Sequence, residues 1–214
     1  NRLALGTYHG LVFFDGKNFE GLADDQKLPS NIVISLYLDA DTLWLSMASA
    51  GIYAYKDGKI IPSSQGSPLE SATVFHLTKD LEGNLWGGFS GGIIKIHNEQ
   101  ITVHEMAGHF PRVNIFHTWR HGLSNEIWLT TNTGIYRLKI SDLEKLKTDD
   151  KIAYQSYLKT DGLPSNSITA LSSAYATSEN IWLPFSNGLV ILDPKKLKID
   201  NYHAKVLIDE VRTD

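Results

Sequence analysis

The chain has 214 residues, with 20 basic and 24 acidic side chains and no cysteine. At 42% hydrophobic and 21% charged residues it has the composition of a folded globular protein, which excludes a disordered tail, a disulfide scaffold and a collagen-like chain. Without cysteine there is no thiol nucleophile, thiolate zinc site or iron–sulfur cluster, and a net charge of −4 with no basic stretch gives nucleic acid no landing surface.

The first residues, Asn1-Arg2-Leu3-Ala4-Leu5-Gly6-Thr7, already read as strand, with no signal peptide before them. The sequence is therefore expected to start inside a larger protein. From there the chain repeats itself. Trp44, Trp86, Trp128 and Trp182 recur at spacings of 42, 42 and 54, each followed six or seven residues later by glycine and an apolar run. The opening segment, Leu3 to Phe14, is a fifth copy with Ala4 in the tryptophan slot. The same lead, Leu28-Pro29-Ser30-Asn31 and Leu163-Pro164-Ser165-Asn166, stands ahead of two copies.

Within each unit, apolar runs of about five residues alternate with turn residues such as Asp15-Gly16, Asp57-Gly58, Glu82-Gly83-Asn84 and Asn187-Gly188. Four short strands per unit of ~40 residues is the arithmetic of a β-propeller blade. The fold class is all-β: β-propeller blades, four complete four-stranded ones plus one partial blade. The expected divisions are 1–27 (partial), 28–68, 69–110, 111–162 and 163–204. The run Ile32 to Leu38 reads as an inner strand buried on both faces. The recurring tryptophans read as interblade packing residues. Pro184, which donates no ladder bond, predicts a bulge or an open edge. Ser141-Asp142-Leu143-Glu144 is a capping-box pattern and predicts a short helix in the third full repeat.

Apparent catalytic motifs dissolve on inspection. Gly88-Phe89-Ser90-Gly91-Gly92 matches a hydrolase nucleophile elbow, but a strand-like run follows it where that elbow needs a helix. The same glycines lack the helix a dinucleotide fingerprint requires. His104-Glu105 and His109 have one residue too many for a zinc-protease helix, and a solvated loop is the better reading. Asp24-Asp25 and Asp149-Asp150 sit in polar turns, with no pair of facing carboxylates and aromatic platform for glycoside hydrolysis.

One constellation is of interest. Counting back from the tryptophans puts Ser35, His76, His117 and Ala170 at one repeat position on the innermost strands, with Tyr37, Thr78, Trp119 and Ser172 forming a second column. His76 and His117 are then expected side by side near the axis. Trp119 with Arg120 and His121 suits a sugar ring or an anionic group through stacking and charged hydrogen bonds. Tyr37, His76, His117, Trp119 and Arg120 are thus the candidate ligand-binding set. Against this stands a plainer reading in which the histidines are satisfied interblade residues and Arg120 a surface charge. No catalytic residue, metal or cofactor is expected.

The chain resembles the two-component regulator propeller repeat over residues 1 to about 204. Leu163 to Leu171 copies its first half, Asp80 to Gly88 its middle and Leu5 to Leu11 its end. Lys205 to Val211 looks like the first strand of the tyrosine-rich, immunoglobulin-like domain that follows such propellers, here 205–214. The resemblance implies a fragment of a seven-bladed propeller in the periplasmic sensor region of a bacterial inner-membrane receptor, a homodimer at full length, whose output is a histidine kinase or diguanylate cyclase. It implies a non-catalytic segment recognising a small extracellular ligand such as a glycan fragment, with membrane contact only through downstream segments. A propeller lyase or glycosidase and a protein-interaction scaffold are the alternatives.

Overall fold

The structure is a computed structural model that describes residues 2–22, 28–146, 151–165, 168, 175–177 and 180–197. It consists of five consecutive antiparallel sheets. Blade 1 contains β1 (Leu3–Thr7), β2 (Gly10–Phe14) and β3 (Phe19–Gly21). Blade 2 contains β4 (Val33–Asp39), β5 (Thr42–Met47), β6 (Gly51–Lys56) and β7 (Lys59–Pro62). Blade 3 contains β8 (His76–Lys79), β9 (Leu85–Phe89), β10 (Gly92–His97) and β11 (Gln100–Glu105). Blade 4 contains β12 (Ile115–Arg120), β13 (Glu126–Thr131), β14 (Ile135–Lys139) and β15 (Tyr154–Tyr157), with helix α1 (Ile140–Glu144) between the last two. Blade 5 contains β16 (Tyr175–Ala176), β17 (Ile181–Phe185) and β18 (Gly188–Leu192).

Three sheets thus have four strands, and the first and last have three among the described residues. Ala4 aligns β1 with the tryptophan-bearing second strands, so among the described residues blade 1 shows its second to fourth strands. The end of the expected last blade, 198–204, and the segment 205–214 lie outside the described residues.

Register explains why one residue frame recurs. In blades 2 to 4 the residue opposite each tryptophan is Tyr37, Thr78 or Trp119, and the residue opposite the second position beyond it is Ser35, His76 or His117. That second position carries Gly6, Ser46, Gly88 and Thr130 along the chain. These residues are small because the next blade runs hard against them. A Cβ on Gly88 would stand 2.4 Å from the Ile115 carbonyl oxygen, and one on Gly6 would stand 2.8 Å from Val33. The Ser46 hydroxyl instead donates to the Val74 carbonyl, and Thr78 donates to the Thr118 carbonyl across the following seam. The hydrolase-like motif is thereby accounted for: β10 follows Gly91 directly, and Gly88 is a packing glycine.

The core is the set of seams. Trp44 lies with Leu77, Leu85 and Ile96 of blade 3; Trp86 lies with Ile127 and Leu138 of blade 4; Trp128 lies with Ile181, Leu183 and Leu192 of blade 5. All three indoles are buried, whereas Trp182 in the last blade is half-buried.

Three local expectations change. Leu38 is 67% exposed, so β4 is not buried along its whole length; it faces the seam where Ala4 replaces an indole. Pro184 pairs in register with Leu189 on the β18 side, while on the inner side the register shifts between the Tyr175–Trp182 pair and the isolated Ile168–Phe185 bridge, so the ladder is interrupted at Pro184 as expected. The capping box at Ser141 does not form. Strand β14 runs straight into α1, and Asn125 of the neighbouring hairpin caps it instead: its carbonyl accepts from the Ile140 N–H and its side-chain oxygen from the Ser141 N–H. His104 and Glu105 are no loop; they extend β11 opposite Ile93 and Gly92, where a Cβ on Gly92 would block the approach.

Candidate ligand cavity

The innermost strands β4, β8 and β12 line up side by side, and their side chains form the wall of a cavity of about 760 Å³. Tyr37 and Leu36 come from blade 2, His76, Thr78 and Lys79 from blade 3, and Trp119 and Arg120 from blade 4. The turn residues Asp80 and His121 and, from blade 5, Thr177 and Lys195 complete it. Four of the five candidate residues therefore share one cavity although they span residues 37 to 120.

The fifth, His117, stands beside His76 with ring centroids 4.8 Å apart, planes inclined at 60°. It is buried at 3% exposure and its Nδ1 lies 3.0 Å from the Thr130 hydroxyl, so it supports the wall rather than lining it. Phe75 and Phe116 repeat the same cross-seam pairing one residue earlier, at 5.2 Å. Burial pushes His76 below the ordinary histidine value, so its imidazole is neutral at pH 7. Burial likewise raises Tyr37 and keeps its phenol protonated.

Trp119 presents little surface, being 6% exposed. It stacks on Trp128 at 5.9 Å and 15°, and Trp128 stacks on Tyr157 at 5.6 Å and 14°. Arg137 covers the middle ring at 5.3 Å. Trp119 is thus fixed in position by a three-ring column running out through blade 4.

Arg120 is neither free nor a plain surface charge. Its Nε donates to the Ser124 carbonyl at 2.6 Å and an Nη to the Leu123 carbonyl at 3.1 Å. Its other Nη reaches Glu82 at 2.6 Å and Asp80 at 3.4 Å across the seam. Asp80 in turn accepts from the Glu82 and Asn84 N–H groups, the Asn84 amide and the Trp86 indole N–H at 2.8 Å. Burial works to raise the Asp80 carboxyl, but the bonds from Asn84 and Trp86 outweigh it and hold it below the usual carboxylate value. The sequence showed Asp80 to Asn84 only as a turn; the acidic residue six positions before a repeat tryptophan was the available signal. Lys79, Thr177 and Lys195 were also not singled out, since their proximity depends on blade order.

The second column continues differently in blade 5. Trp182 pairs with Tyr175 rather than with Ser172. Ala170 and Ser172, and the carboxylate pairs at 24–25 and 149–150, lie outside the described residues. Among the described residues no group of three or more histidine or acidic side chains is placed to hold a metal. Nor is any helix there long and apolar enough to cross a membrane.

No family model and no curated protein matches the chain. Solved structures do. The extracellular domain of a proposed hybrid two component system, BT3049 from B. thetaiotaomicron, superposes with a TM-score of 0.69 at 18% identity, over 90% of this chain and 26% of that one. The extracellular domain of a second such protein, BT4673 from the same organism, gives 0.66 at 20% identity over 89% and 25%. The WD40 β-propeller domain of Doa1 gives 0.63 at 11% identity over 91% and 62%. The chain spans about a quarter of the length of the two B. thetaiotaomicron domains. At these identities the likeness is one of fold, and it agrees with the sheet order and seams described above: the chain is a run of β-propeller blades.

Proposed function

We propose that the chain is part of the extracytoplasmic sensor region of a bacterial two-component or related membrane receptor, and that its axial cavity takes a small extracellular ligand such as a glycan fragment. The observation that carries this reading is the convergence of Tyr37, His76, Trp119 and Arg120 from three blades on one cavity. Their chemistry suits a sugar: rings to stack on, a neutral imidazole and a phenol to exchange hydrogen bonds, and fixed cationic edges for an acidic substituent. The likeness to two extracellular receptor domains supports the assignment to a sensor. In the full protein, further blades complete a seven-bladed ring, an immunoglobulin-like domain follows, and a kinase or cyclase in a homodimeric receptor carries the output.

A glycosidase reading is less well supported. Such enzymes use two carboxyl groups across the scissile bond. Among the described residues lining the cavity, Asp80 is the acidic one, and its oxygens are occupied by Asn84, Trp86 and Arg120.

The test is a thermal-shift screen of the chain against oligosaccharides, neutral and uronic. A specific ligand raises the melting temperature, by about 2.7 kcal/mol of added stability at a hundredfold excess over Kd. The Tyr37→Ala and His121→Ala variants are expected to fold and to lose most of that shift. A ligand that stabilises both variants as much as the parent chain binds elsewhere and removes the cavity from the proposal.

A further inference from the structure

Trp44, Trp86 and Trp128 fill the same interblade space in successive blades; blade 1 has Ala4 there. The partners of that space are set by register. Trp44 meets Leu77, Leu85 and Ile96. Leu85 pairs with Ile96, as Leu43 pairs with Tyr55 one blade earlier; Leu77 pairs with Gly87, as Leu36 pairs with the equivalent Leu45. Leu36, Leu43 and Tyr55 are therefore the residues an indole at position 4 would touch. The same three line a cavity of about 410 Å³ with Leu3, Ala4 and Phe13. Phe13, opposite Ala4 where Ala54 stands opposite Trp44, is buried against Tyr55 at 5.1 Å and takes part of the space, and the cavity is what remains beside it.

We infer that this vacated slot is a second binding site, and that it takes an uncharged planar aromatic molecule of indole size. The neighbouring seams show the shape that fits: an indole occupies the equivalent space in three of them. The volume exceeds the roughly 150 Å³ that admits benzene to an apolar cavity. Leu3 and Leu38, 58% and 67% exposed, flank the mouth and gain cover when a ring enters. Charge is not what the site selects. Arg2 is held over Phe13 at 4.8 Å and by Glu20 at 2.9 Å, and Lys56 by Glu99 at 2.9 Å and Asp41 at 3.6 Å. A bound ring would tie blade 1 to blade 2 as Trp44 ties blade 2 to blade 3. This site is separate from the axial cavity, and its existence does not depend on the sensor proposal.

The probe is indole itself, added to the whole chain and followed by thermal unfolding and by proton NMR. The expected result is a saturable rise in melting temperature, with nuclear Overhauser contacts from indole protons to Leu36, Leu43 and Tyr55. Ala4→Trp should unfold at a higher temperature without indole and bind it at least about tenfold more weakly, 1.4 kcal/mol in affinity. No saturable binding, contacts to residues of the axial cavity instead, or unchanged affinity in a folded Ala4→Trp protein would each overturn the inference. Should that variant not fold, the contacts in the parent chain decide alone.

Discussion

A carboxylate can be buried only if its lone pairs are taken, and Asp80 meets that condition with donors from its own turn, from Trp86 and from Arg120 of the next blade. Its side chain is 1% exposed and that of Arg120 9%. Replacing Asp80 by alanine takes the acceptor from the Trp86 indole N–H and the Asn84 amide, while Arg120 keeps Glu82, and is expected to cost about 1–3 kcal/mol in urea unfolding. A near-neutral result would mean that the bond network contributes nothing net. Histidine gives the pH dependence its sign. Burial lowers His76 from its ordinary value of 6.5, so between the folded and unfolded values the unfolded chain binds the proton. Stability is full above about pH 6.5 and falls as the pH drops through the folded value; His104, also lowered by burial, acts in the same direction. His76→Gln should flatten part of that decline between pH 6.5 and 5, and an unchanged profile would show that His76 is solvated. Much at this scale was readable in advance. The pairing of His76 with His117 follows from counting back from tryptophans, because an antiparallel ladder fixes which residues oppose one another. The use made of Arg120 was not readable, since Asp80 and Glu82 meet it only when blade 4 docks on blade 3.

Strands are placed by what the next blade tolerates. Gly88 is the clearest instance: any side chain there meets the Ile115 backbone, which cannot step aside without moving β12. Gly88→Ala is expected to lose about 1–3 kcal/mol, more than Gly91→Ala, whose turn position has open space around it but a φ of +100°. The reverse order would contradict the seam geometry. The three-ring column of Trp119, Trp128 and Tyr157 makes the companion case for aromatic fillers. Trp128→Ala should cost about 3–5 kcal/mol and release Trp119 into motion, visible as broadening of its indole N–H signal. The sequence predicted the helix after β14 but for the wrong reason. Ser141 matches a capping pattern, yet the first-turn N–H groups are met by Asn125, a residue 15 or 16 positions earlier that only the β13–β14 hairpin brings near. Capping boxes describe helices that begin from a loop; this one begins from a strand.

The described sheets follow one another along a row of seams, and among the described residues the first and last sheets both carry exposed apolar side chains. Leu3 and Phe19 in blade 1 are 58% and 70% exposed, and Leu189 and Ile191 on β18 are 58% and 53% exposed. Such faces and edges recruit a partner strand or sheet. The isolated chain is therefore expected to self-associate with rising concentration in light scattering, and Leu189→Lys to shift it toward monomer. A monomer at every concentration would show that these faces are too small to matter. The blade frame at this scale was legible from four tryptophans and five glycine-bounded runs. The axial cavity was legible only in part, as a column of residue types, because its lining also draws on Thr177 and Lys195, which no periodicity links to His76.

The deciding property of the chain is whether that cavity receives a ligand. Oligosaccharides that raise the melting temperature should be titrated into labelled protein while the Trp119 indole N–H and the His76 and His117 ring signals are followed. Saturable shifts at these three residues, with the Trp44 and Trp182 indoles unmoved, are the predicted outcome. Binding that leaves all three unchanged, or that moves only residues outside the axial strands, would contradict it.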